Sequence, residues 1–175
     1  RSGLAGDHPQ SYRYFMNDNL FNHINIDKSR TFVPNGLAED IAEEGRKYDK
    51  KIDELGGTDI QLLGIGENGH IGFNEPGTSF DSQTRVVDLT DSTIKANSIH
   101  FDTIDDVPKQ AISMGLQSIM RAKRIILLAF GERKQEAIER LVNGSKTETL
   151  PASILQTHPN VDIIIDNVIF NYLNH

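Results

Sequence analysis

Apolar and polar positions change period several times along the chain, and each change marks a predicted element. After an opening polar stretch, RSGLAGDHPQ, the segment Gln10–His23 places Tyr12, Phe15, Met16, Leu20 and Phe21 at helical intervals, the pattern of a helix packed on a core. The next segment, HINIDKSRTFVPNG, loses that period and reads as a loop or a short extended element. Ala38–Leu55, dense in Glu, Lys and Arg, restores a helix that Gly56-Gly57 ends. DIQLLGIG then forms a short apolar run between turn signals, as a buried central strand does.

A loop from Glu67 to about Thr84 follows, and loops longer than about 12 residues are uncommon unless they form sites or lids. Beyond it the chain alternates. TRVVDL, QAISMG, RIILLAF and VDIIID are predicted strands, and DSTIKANS, LQSIMRA, GERKQEAIERLVNG, PASILQ and NVIFNYL are predicted helices. That order implies an α/β fold with a largely parallel sheet, helices on both faces, and a modified Rossmann-like arrangement. Doubly wound sheets usually open on a core strand, yet the first buried strand here comes only at residue 59. The expectation is one domain over residues 1–175 whose first strand or strands are missing, with an unusual helical cap as the alternative.

Composition narrows the classes. With 18 Lys and Arg against 25 Asp and Glu, the net charge of −7 opposes a broad nucleic-acid or anionic-membrane surface. It leaves room for a small phosphate pocket, which needs only a lysine and a few amides. The absence of Cys removes disulfides, thiolate nucleophiles and cysteine metal sites. No stretch approaches the roughly 18 apolar residues that cross a bilayer. A soluble, cytoplasmic protein without nucleic-acid or membrane partners is expected.

The chemistry concentrates after the first buried strand. Gly64, Gly66 and Gly69 match the spacing GxGxxG, but Gly72 and Pro76 interrupt the long helix that a dinucleotide's pyrophosphate requires. The same few residues hold Asn68, His70, Asn74 and Glu75. Glycines let a ligand approach the main chain, and an imidazole oriented by a returning carboxylate can exchange protons with sugar oxygens near neutral pH. The alternative is that His70 and Glu75 only pin a loop through backbone hydrogen bonds. A metal site is less attractive, because no third ligand arrives at a recognisable spacing.

The string LLGIGENGHIGFNEPGTSF resembles the signature of glucosamine-6-phosphate deaminases. The likeness continues in DHPQSYRYFM, LTDSTIKANS, FGERKQEAI and LPASILQTHPNVDIIID, and covers nearly the whole chain. The resemblance implies conversion of glucosamine 6-phosphate to fructose 6-phosphate and ammonia, with no cofactor, and either a monomer or a homo-oligomer. It implies His70 as the ring-opening acid–base, Glu75 as its partner, and Lys134 as the phosphate lysine. Some relatives place Asp where Asn68 stands, completing an acidic relay that an amide can join only by hydrogen bonding. Some place a phosphate arginine where Ile99 stands, with His100 as a speculative substitute. The resemblance further implies an upstream Asp-Glu-Tyr base motif and a phosphate loop that residues 1–175 do not contain, and Asp7 is not promoted to base. Two other readings remain: a 6-phosphogluconolactonase, whose histidine is usually followed by a segment unlike FNEPG, and a non-catalytic sugar-phosphate-binding remnant or fragment.

Overall fold

The computed structural model describes residues 1–175. In chain order the elements begin with α1 (Tyr12–Asn19), α2 (Ile41–Glu54), β1 (Ile60–Gly64), β2 (Arg85–Asp88), α3 (Asp91–Asn97) and β3 (Gln110–Ser113). They continue with α4 (Leu116–Met120), β4 (Arg124–Ala129), α5 (Gln135–Asn143), β5 (Val161–Ile165) and α6 (Asn167–Leu173). Contacts divide the chain into two compact units, residues 1–48 with 85–112 and residues 49–84 with 113–175.

In the first unit, the Ser11 side chain accepts a hydrogen bond from the Tyr14 amide and caps α1. The helix is where the periodicity predicts it, but none of its residues is buried, and Phe15 is 55 % exposed. Helical spacing reports which side chains share a face and not what covers that face. Strands β2 and β3 pair with each other in a separate two-stranded sheet, and the Leu89 amide donates to the Lys109 carbonyl beside that pairing. Thr90 caps α3 through the Thr93 amide.

The second unit holds the parallel sheet that the sequence predicts, in the order β1-β4-β5. Leu63 lies beside Leu127, which lies beside Ile163, and this register continues along both pairs. Side chains alternate across the pleat, so Leu63, Ile125, Leu127 and Ala129 enter the core. They pack with Ile119, Ile138, Leu141, Leu150 and Ile169 from the helices and connections. The alternate positions Ile60, Leu62 and Ile164 are exposed. PASILQ folds as a 3-10 helix over Pro151–Thr157 rather than an α-helix, with Pro151 in its first turn, where the missing amide costs nothing.

Helix α2 ends as Gly56-Gly57 predicts. The Gly57 amide returns to the Ile52 carbonyl and the Gly56 amide to Asp53, a Schellman closure in which both glycines have positive φ. One turn earlier, the buried Asp49 carboxylate accepts from the Thr84 amide at 2.9 Å, the Thr84 hydroxyl at 2.5 Å and the Ser118 hydroxyl at 3.0 Å. These bonds fix the far end of the 67–84 loop. No helix is long and apolar enough to cross a membrane.

Candidate active site at the ends of the parallel strands

The carboxyl ends of adjacent parallel strands are where α/β sheets present ligand-binding loops. At the end of β1 the chain folds tightly: the Gly66 amide donates to the His70 carbonyl at 2.8 Å, and the Gly69 amide to the Gly66 carbonyl at 3.0 Å. The imidazole of His70 lies directly over Gly66, so closely that a Cβ there would fall 2.1 Å from ring atoms. Gly69 has φ +85, and a Cβ on it would strike Leu150. These two glycines are therefore required by close approach and backbone conformation, and not by a dinucleotide.

Three of the predicted residues meet in one chain of hydrogen bonds. His70 Nδ1 lies 2.7 Å from Asn68 Oδ1, and Asn68 Nδ2 donates to Glu75 Oε2 at 2.7 Å. A carboxylate only accepts, so Glu75 fixes which end of the Asn68 amide faces it. The amide oxygen then faces the ring and Nδ1 carries a proton, which in the neutral imidazole leaves the lone pair on Nε2. Glu75 Oε1 stands 3.7 Å from Nδ1, beyond hydrogen-bonding distance. Glu75 thus reaches the imidazole through Asn68, rather than returning to it directly. No third ligand-bearing side chain joins His70 and Glu75 to make a metal cluster.

Lys134 approaches the same strand end from the turn after β4. Its Nζ donates to the Ile65 carbonyl at 2.7 Å, which leaves two of the three ammonium protons for an anion. Lys134 immediately precedes α5, whose first amides point toward the same end of the helix. The turn is set by Gly131, with φ +89, whose amide donates to Asp166 Oδ2 at 2.7 Å. The same Asp166 caps α6 through the Ile169 amide. Arg133 pairs with Glu67 at 2.5 Å, joining the turn after β4 to the loop after β1.

Three further residues weighed in the sequence belong to the first unit. Ile99 is 80 % exposed in the first unit. His100 lines a cavity of about 410 Å³ within that unit, together with His8, Phe101, Asp102 and Asp106. Asp7 is exposed. Sequence reasoning missed the parts that hold the site in place: Asp166 beneath the Gly131 turn, Leu150 against Gly69, and Ser113 and Met114 against the segment that joins His70 to Glu75. Their partners lie tens of residues away, and no local pattern marks them.

Residues 4–164 match the family described as glucosamine-6-phosphate isomerases/6-phosphogluconolactonase. The chain belongs to that family. It is 63 % identical over 172 residues to the glucosamine-6-phosphate deaminase of Staphylococcus haemolyticus, an alignment covering 98 % of this chain and 71 % of that protein. It is 58 % identical over 164 residues to the enzyme of the same name from Clostridium perfringens, covering 94 % of this chain and 68 % of that one. Among solved structures, a monomeric glucosamine-6-phosphate deaminase superposes with a TM-score of 0.91 at 51 % identity, over 98 % of this chain and 71 % of that one. A 6-phosphogluconolactonase from Trypanosoma cruzi, at a TM-score of 0.69 and 22 % identity over 98 % of this chain and 69 % of its own, shares the fold.

Proposed function

We propose that this protein isomerises and deaminates glucosamine 6-phosphate, giving fructose 6-phosphate and ammonia, and that residues 1–175 belong to one sugar-phosphate isomerase/deaminase domain. The observation that carries the reading is the Glu75–Asn68–His70 chain beside Lys134, in a polypeptide so similar to proteins named glucosamine-6-phosphate deaminase. In this reading His70 Nε2 takes the proton from the C1 hydroxyl of the closed sugar and returns it to the ring oxygen. Opening the ring needs those two transfers and no more, and one imidazole performs both in sequence. General acid–base help of this kind is worth about 10²–10⁴-fold.

Asn68 keeps the Nδ1 proton in place, so that Nε2 begins each turnover as the acceptor. Glu75 holds the amide in that orientation. Lys134 and the first amides of α5 hold the phosphate. Once the chain is open, transfer of hydrogen from C2 to C1 and of a proton from the amine to O1 makes a C1 hydroxyl and an imine at C2. Water then adds to that carbon and ammonia leaves, so sugar phosphate and water account for every atom of the products. A cytoplasmic setting is part of the proposal and fits a chain without Cys whose substrate is a phosphorylated sugar.

The test is ammonia release and fructose 6-phosphate formation that depend on glucosamine 6-phosphate, measured for the protein and for His70→Asn. The variant is expected to lose far more activity on closed-ring substrate than on an open-chain analogue. Equal losses on both would remove the ring-opening role. Hydrolysis of 6-phosphogluconolactone without ammonia would replace the reaction itself.

A further inference from the structure

The segment between His70 and Glu75 is held by the side chain of Asn74. Asn74 is fully buried, and its amide nitrogen donates to the Ile71 carbonyl at 2.9 Å and to the Met114 carbonyl at 2.8 Å. Its backbone amide closes the turn onto the same Ile71 carbonyl at 3.1 Å. Next to it, the Phe73 amide donates to the Ser113 hydroxyl at 3.0 Å, and that hydroxyl donates to the Met114 carbonyl at 3.0 Å. Gly72 makes the approach possible. A Cβ there would stand 3.1 Å from Ser113 Oγ and 3.3 Å from Asn74 Nδ2, and its φ of +58 suits glycine.

His70 and Glu75 are thus the two flanks of one anchored turn, and Asn68 spans the gap that the turn defines. We propose that Asn74 is a positioning residue for the reaction: its amide, clamped between Ile71 and the Ser113–Met114 chain, sets the separation at which Asn68 can bond His70 and Glu75 together. The inference rests on the proposed role of His70, but its geometric content does not. A lost donor at Asn74 breaks the direct tie from the turn to the Met114 carbonyl, which keeps its bond from the Ser113 hydroxyl, and lets the turn drift. A misplacement near 1 Å at a catalytic group costs on the order of 10²-fold.

The test uses Asn74→Asp, which keeps the volume and loses the amide donors, and Ser113→Ala, which removes the neighbouring anchor. For each, ¹⁵N NMR of the His70 ring reports the tautomer, circular dichroism reports folding, and steady-state kinetics separate kcat from KM. The wild-type ring is expected in the Nδ1-protonated form. At least one folded variant should show a mixed tautomer population and a 10- to 100-fold lower kcat, with KM changed much less. If Asn74→Asp does not fold, Ser113→Ala decides alone. Folded variants with the wild-type ring signal, and activity that merely follows the folded fraction, overturn the proposal. A wild-type protein without deaminase activity would remove the function proposed above, while the NMR comparison would still judge the anchor.

Discussion

Adding one methyl group at Gly66 should separate catalysis from stability. In Gly66→Ala the new Cβ would begin 2.1 Å from two atoms of the His70 ring and 2.6 Å from a third, where ordinary contact starts near 3.4 Å. Relief requires the ring to move by about 1.3 Å, judged from those separations. The ring is the end of a partly exposed side chain, so it can swing out without disturbing the core. Stability should therefore change by about 1 kcal/mol or less, as for substitutions away from packed features. The 2.7 Å bond to Asn68 does not survive such a shift, and kcat/KM should fall on the order of 10²-fold, equivalent to about 2.7 kcal/mol of transition-state stabilisation. Gly64→Ala is the control, because nothing lies within 4 Å of its would-be Cβ. Thermal unfolding and an ammonia-release assay on both variants decide the matter. A folded Gly66→Ala protein with kcat/KM within twofold of wild type would refute the argument from ring position.

Two further perturbations address the phosphate and the loop anchor. Lys134→Met removes a charge-assisted contact worth about 1.5–3 kcal/mol, so kcat/KM for the phosphorylated sugar should drop about 10- to 100-fold, chiefly through KM; inhibition by inorganic phosphate should weaken in parallel, and an unchanged phosphate inhibition constant would remove Lys134 from the site. Asp49→Ala strands the Thr84 and Ser118 hydroxyls and leaves the Thr84 amide its weaker bond to Ser118 Oγ. At about 1–3 kcal/mol for each buried unsatisfied group, with some rehydration, chemical denaturation should show a loss of about 3–5 kcal/mol; a loss under 1 kcal/mol would mean that water replaces the carboxylate freely.

The parts of this protein legible in the sequence are those governed by neighbours along the chain. RIILLAF and VDIIID read as strands because a buried parallel strand is a short apolar run, and Gly56-Gly57 reads as a helix stop because the Schellman closure needs positive φ. The crowding of Asn68, His70 and Glu75 was visible too, since all three fall within one turn of loop. Their order of contact was not. Spacing suggested that the carboxylate would meet the imidazole, whereas the 3.7 Å gap and the interposed amide show that Asn68 does. Helical periodicity in Tyr12–Phe21 likewise announced α1 but not its open surface, because burial depends on partners that periodicity does not name. TRVVDL and QAISMG were each recognisable as strands, but which strand pairs with which is a long-range choice, and here they chose each other.

Asp166 gives the end of the chain a stake in the phosphate turn. One of its carboxylate oxygens receives the amide of Gly131, ahead of Lys134, and the other receives the amide of Ile169 inside α6. An anion that steadies the first connection is expected to steady the carboxylate that makes the second. Helix α6, which packs against the turn that carries Lys134, should therefore report occupancy of the phosphate site: protection of the Ile169 amide from deuterium exchange is expected to rise as phosphate is added. Exchange at that amide indifferent to phosphate would show that the two ends of the carboxylate act independently.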